Sequence, residues 1–220
     1  MELLEGIETR RSFRSFKPTE IDEETIHRIL TAASNSPSYT NTQPWEVAVV
    51  CGKKKEELSR VLFELARAKA PTNPDLPVPE GWPPELEARS REHGTRRLSV
   101  LGVEREDRAK REELRLMNFR FYGAPCVIFL FTDRALSEWS IFDMGLFAEN
   151  LILAAHSLGL GSCLQASVAD YARAIREFLE IPETKRLIIA ISIGYPDMGA
   201  KINAYRSLKQ RPEEFTKWYR

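Results

Sequence analysis

"SPSYTNTQPWEVAVV", Ser36 to Val50, joins two kinds of chain within fifteen residues. Its last five residues, "EVAVV", are short and β-branched and predict a strand. The ten before them carry Asn41, Gln43, several hydroxyls and the indole of Trp45. Pro37 and Pro44 stiffen this part, and each carboxamide offers both a donor and an acceptor. Such groups suit a flat heterocycle whose edge alternates C=O and N–H, or a polyol chain. Taken alone, the loop reads more simply as one whose carboxamides satisfy its own backbone. Trp45 reads as core.

The flanks set this loop in a fold. Upstream, Asp22 caps a helix through "EETIHRILTAAS", with Ile26, Ile29, Leu30 and Ala33 on one face and Ile21 placed as a staple. Downstream, "KKKEELSRVLFELARAKA" returns to helical spacing, with Leu58, Val61, Leu62 and Leu65 inward. "CVIFLFT" lacks alternation and predicts a strand buried on both faces, and "RLIIAISIGYP" predicts another. Between them, "WSIFDMGLFAENLILAAHSLGLG" is a long helix, apolar nearly all round. It belongs at the centre of a fold or at a subunit interface. Ser167 and Asp170 have capping-box spacing for "VADYARAIREFLEI". The final stretch has no clear periodicity yet holds Tyr205, Phe215, Trp218 and Tyr219, so it packs on something other than its own core. Helices and strands interleave without repeated βαβ units, which predicts an α+β protein with one domain over residues 1–220. Residues 71–116 interrupt it with six of the 13 prolines and a charge-dense run. That segment reads equally as a solvated excursion with one or two surface helices or as a lid over a pocket.

Composition narrows the functional classes. Lys plus Arg equals Asp plus Glu at 32 each, so no global field favours nucleic acid or anionic lipid. No signal-peptide pattern opens the chain, and no run reaches the length of a membrane span. Three widely spaced cysteines, Cys51, Cys126 and Cys163, argue against a disulfide framework and for a reducing cytoplasm. There is no phosphate loop, no GxGxxG after a strand, no HExxH, no CxxC and no GxSxG. "GLGS" at Gly159 reads as a helix stop. His27, His93 and His156 read as structural or exposed.

Arginines are what remain. Arg10, Arg11 and Arg14 surround Ser12 without acidic partners beside them, and a helix end would place Arg10 and Arg14 on one side. Arg206 and Lys209 repeat the offer near the other end. A dianionic phosphate suits these positions if the fold joins the two ends.

Together, "IETRRSFRSF", "SPSYTNTQPWEVAVV", "FYGAPCVIFLFTD", "LGLGSCLQAS", "IIAISIGYP" and "NAYRS", in this order, resemble the nitroreductase family of flavin enzymes. The resemblance covers nearly the whole chain outside 71–116. It implies a central, mainly antiparallel sheet flanked by helices in an intertwined homodimer, with the C-terminal extension crossing to the partner and FMN at the interface. By position, Arg10 and Arg206 match residues on the FMN phosphate, with Arg11 alongside, and Ser12 one at the phosphate–ribityl region. Arg14 matches a basic residue at the pyrimidine edge, where Asn118 is a further candidate. Pro37, Ser38, Asn41 and Gln43 match contacts made from the other subunit. Gln165 and Ala166 match the segment whose backbone borders the flavin's N5, where the family commonly has Gly in place of Ala166. The implied activity is reduction of flavin by NAD(P)H, then of a nitroaromatic or quinone, in a ping-pong cycle. Reductive dehalogenation or flavin oxidation by oxygen on the same fold, and a non-catalytic FMN-binding protein, are the alternatives.

Overall fold

The computed structural model describes residues 1–220, and its centre is the strand β2, Cys126–Asp133. Why this run shows no alternation is plain from its two faces. Val127, Phe129 and Phe131 point into one hydrophobic cluster, with Leu58, Leu62 and Ile175. Cys126, Ile128 and Leu130 point into another, with Ile29, Met144 and Leu151. Side chains of a strand alternate between faces, so a strand covered on both must be apolar at every position.

Strands β1 (Glu46–Cys51), β2, β4 (Lys185–Gly194) and β3 (Gly161–Gln165) lie in that order, and every pairing is antiparallel. Helices α2 (Glu23–Ala33) and α6 (Glu138–Ser157) cover one face, and α3 (Gly52–Arg67) and α7 (Ala172–Leu179) the other. This three-layer α+β arrangement is the predicted class. Asp22 caps α2 as expected, accepting from the Thr25 amide at 2.7 Å. Trp45 stacks on Phe147 with centroids 4.9 Å apart. No helix is long and apolar enough to cross a membrane.

Several local expectations differ. β3 lies within "LGLGSCLQAS", where the sequence reading stopped at a helix end. Gly159, at φ 79, does close α6, but the chain then enters the sheet at once. The Ser167–Asp170 capping box does not form, because residues Ala166–Tyr171 make a 3-10 turn before α7 and Tyr171 is the cap position. Val61 faces solvent. Cys51 and Cys126 are bonded to each other, leaving Cys163 as the free, buried thiol. Their Cα atoms are 4.3 Å apart because the β1–β2 register sets them directly opposite. A separation of 75 residues hides that register from the sequence. The pairing removes the support that the cysteines gave to a reducing cytoplasm.

The 71–116 segment contains two helices, α4 (Pro84–Leu101) and α5 (Arg108–Leu116). It is tied at its start by Asp75. This side chain is only 5% exposed and pairs with Arg134 and Arg176, while accepting from the Leu187 amide at 2.7 Å. The first helix, α1 (Leu3–Thr9), ends just before the arginines.

Candidate active site

The arginine run is not helical. Arg10 terminates α1 with ψ 135, and the chain continues extended along the β3 edge, where Ser12 pairs with Ser162. The Phe13 amide donates to the Ser162 carbonyl at 2.9 Å. This close approach needs Gly161, since a Cβ there would stand 2.7 Å from the Phe13 ring. Phe13 and Phe16 anchor the segment in a small cluster with Tyr122, Ala124 and Cys163.

The two ends of the chain do meet. Asn203, 2% exposed, accepts from the Arg14 amide at 2.7 Å and donates to the Ser15 and Asp197 carbonyls, each at 2.8 Å. Lys17 and Asp197 add backbone bonds across the same seam. Sequence reading missed Asn203, although it lies inside "NAYRS". Arg206 is thereby brought near Arg11, whose pKa is lowered by burial and by the Arg206 charge. Arg10 lies deeper. Its Nε is buried without a hydrogen-bond partner, 3.5 Å from Glu149 Oε1. Cations gathered with so little acidic compensation make a cradle for an anion.

Next to the cradle is an open cavity of about 700 Å³. Arg14, Asn118, Gln165 and Ala166 line it together, as do Tyr122 and Cys163, which the sequence reading had not chosen. The side chain of Gln165 is committed to the fold: Nε2 donates to the Asn118 carbonyl at 2.8 Å, and Oε1 accepts from Ser192 Oγ. Only its backbone is left to border a ligand. Asn118 Oδ1 accepts from Tyr122 Oη at 2.8 Å, and Asn118 Nδ2 donates to the Arg115 carbonyl at 3.0 Å. Burial raises the Tyr122 and Cys163 pKa values, with Arg14 and Arg97 pulling the other way. Both groups are therefore neutral at pH 7, and the positive charge belongs to the arginines.

The opening loop lies elsewhere. None of Pro37, Ser38, Asn41 and Gln43 lines this cavity. The loop packs on α6: buried Asp143 accepts from the Tyr39 amide at 3.1 and 3.2 Å, and Asn150 donates to Ser36 Oγ at 2.7 Å. Ser38 Oγ accepts from the Gln43 amide at 2.9 Å. Thr40, Asn41 and Gln43 all have φ between 49 and 60. That conformation is uncommon outside glycine and costs a β-branched residue most, so these contacts hold a strained shape. Asp143 is the residue that sequence reading missed here. A lone Asp in an apolar helix gives no signal of which amide it will meet.

The cationic cradle opens into a cavity with a strand for one wall, a shape with room for an extended ligand that is anionic at one end. The description "Nitroreductase family" matches residues 7–195, and the chain belongs to that family. It is 35% identical over 215 residues to nitroreductase NfnB of Mycolicibacterium smegmatis, covering 97% of this chain and 91% of that protein. It is 31% identical to a 4-nitrobenzoate reductase of Pseudomonas putida, covering 96% and 92%. The crystal structure of the FMN-dependent nitroreductase NfnB from Mycobacterium smegmatis, in complex with NADPH, superposes with a TM-score of 0.94. That match has 34% identity over 99% of this chain and 97% of that one.

Proposed function

We propose that this protein is an FMN-dependent oxidoreductase that passes hydride from NAD(P)H to a nitroaromatic or quinone acceptor. The observation that carries the reading is the seam at Asn203, which sets Arg206 near the Arg10–Arg14 run beside a cavity bordered by β3. The buried Nε of Arg10, which makes no hydrogen bond and has only Glu149 at 3.5 Å, and the like charges of Arg11 and Arg206 fit a dianionic phosphate. When bound, the flavin supplies two-electron transfer between a nicotinamide and an electron-poor acceptor, each taking the same place in turn.

The chain's own residues bind and orient. Arg10, Arg11 and Arg206 would hold the phosphate, and Ser12 the adjoining ribityl region. Arg14 would place its charge at the pyrimidine edge, with Asn118 nearby. The backbone of Gln165 and Ala166 would border the reactive edge. Pro37, Ser38, Asn41 and Gln43 lie apart from the cavity of their own chain, which supports the reading that they serve the site of a second copy in a homodimer. The 71–116 segment, which walls the cavity, would act as its lid.

Visible absorption of the purified protein, followed by anaerobic addition of NADPH or NADH, tests this. A flavin spectrum that bleaches and is restored by a nitroaromatic or quinone is expected. Flavin that resists both reductants would overturn the oxidoreductase reading in favour of a binding protein. Failure to take up FMN would overturn the site assignment itself.

A further inference from the structure

We propose that Arg97, Arg108 and Arg111 form an anion subsite on the outer wall of the flavin cavity, seating a carboxylate or phosphate carried by the molecule that meets the flavin. This rests on the flavin reading above and adds ligand charge to it.

Residues 71–116 contain nine basic and ten acidic residues, so a face of this segment taken at random would be near neutral. Its cavity face is not. Arg97 comes from α4, and Arg108, Arg111 and Arg115 from α5, against Glu112 alone. On α5 the spacing of three and seven keeps the three arginines on one side of the helix. Glu112 is already committed, since Arg115 Nε and Nη2 both donate to it at 2.8 Å. Arg115 also donates to the Ala66 carbonyl at 2.9 Å, so it is held as structure.

The remaining three are free to act. Arg111 gives one N–H to the Arg105 carbonyl at 2.9 Å and keeps the rest. Arg97 and Arg108 have no carboxylate within salt-bridge range, whereas two outward arginines of α4, Arg91 and Arg96, pair with Glu87 and Glu92. Arg89, a third exposed arginine of that helix, donates to the neutral Gln210, and of the four only Arg97 lines the cavity. Arg14, also without a carboxylate partner, extends the positive lining to the cavity floor. Leu98, Leu114 and Leu164 lie among these cations and offer apolar surface to a ring. Planar guanidinium groups around apolar surface suit a flat ligand bearing a carboxylate or phosphate.

Two molecules could bring that anion: an acceptor with a carboxylate, or NADPH with its 2′-phosphate. The flavin-loaded protein and its variants Arg97→Gln, Arg108→Gln and Arg111→Gln would be assayed with 4-nitrobenzoate against nitrobenzene, and with NADPH against NADH. Perturbation of the flavin absorption by 4-nitrobenzoate gives binding without turnover. At least one variant should raise the KM ratio of 4-nitrobenzoate to nitrobenzene, or of NADPH to NADH, by about tenfold. A change in the first ratio, with a matching rise in the 4-nitrobenzoate Kd, identifies the acceptor carboxylate as the source. A change in the second identifies the donor phosphate. Arg108→Lys should restore part of any effect of Arg108→Gln. Unchanged ratios in all three variants, with flavin bound and bleached normally, would overturn the subsite and leave the oxidoreductase reading standing. Absence of flavin or of bleaching would overturn both.

Discussion

At the scale of single residues, the cradle is the part most open to test. Arg206 comes near the Arg10–Arg14 run, at Arg11, only through the fold, so its effect and that of Arg10 can be compared. Replacing either by alanine should weaken FMN binding by about ten- to a hundredfold, the worth of a charge-assisted hydrogen bond. Riboflavin, which lacks the phosphate, should bind the variants and the parent alike. Fluorescence titration of the flavin-free protein with each ligand makes the comparison. A second residue-level effect concerns His93 and His156. Each is held below its ordinary pKa by burial first, then by neighbouring cations, Arg97 for His93 and Arg10 for His156. His93 sits 2.9 Å from Tyr205 Oη, and His156 2.9 Å from Thr9 Oγ1. The unfolded chain therefore takes up protons at these positions before the folded one does. Stability from this source is complete above the unfolded value of about 6.5 and declines as pH falls below it. Thermal melts between about pH 7 and 5.5 should show this slope. The double variant His93→Gln/His156→Gln should flatten it.

At the scale of elements, the docking of the arginine segment on β3 depends on the absence of a side chain. Gly161→Ala would drive a methyl into the Phe13 ring, an overpacking that costs about 1–3 kcal/mol. Urea unfolding should report that loss. Flavin affinity should fall with it, because Ser12 and Arg14 ride on the displaced segment. The same region shows what the sequence could and could not say. β2 and β4 were legible because burial on two faces leaves an unbroken apolar run. α2 was legible because Asp22 and a stripe of isoleucines mark its start and its inner side. β3 was not, since "GSCLQ" has little apolar pattern and follows a glycine that does end a helix. The arginine run was identified by its lack of acidic neighbours, but its backbone was misjudged, because helical spacing of four and an extended edge both fit so short a stretch. Asn203, Asp143, Tyr122 and the Cys51–Cys126 bond depend on long-range register, which no local pattern encodes. Most of the proposed flavin contacts came from the family resemblance, and the structure adds how their supports are arranged.

At the scale of the whole molecule, one copy leaves much apolar surface uncovered. Phe215, Trp218 and Tyr219 are 66%, 78% and 89% exposed, and Trp139 and Phe142 stand out from the start of α6 at 60% and 59%. A tail with three large aromatics in water is expected to find cover on a second copy. Sedimentation should give twice the mass of one chain. Removing residues 208–220 should shift it toward one and lower flavin content, and an unchanged dimer would place the interface elsewhere.

The seam at Asn203 also sets an order of events in the cell. The Arg14 amide and its acceptor on Asn203 are 189 residues apart, and synthesis proceeds at roughly 5–20 residues per second. For about ten seconds or more of translation, the first arginines have emerged while the residues that will hold them have yet to be made. A nascent chain stalled before Asn203 lacks the seam altogether, and it should carry no yellow colour.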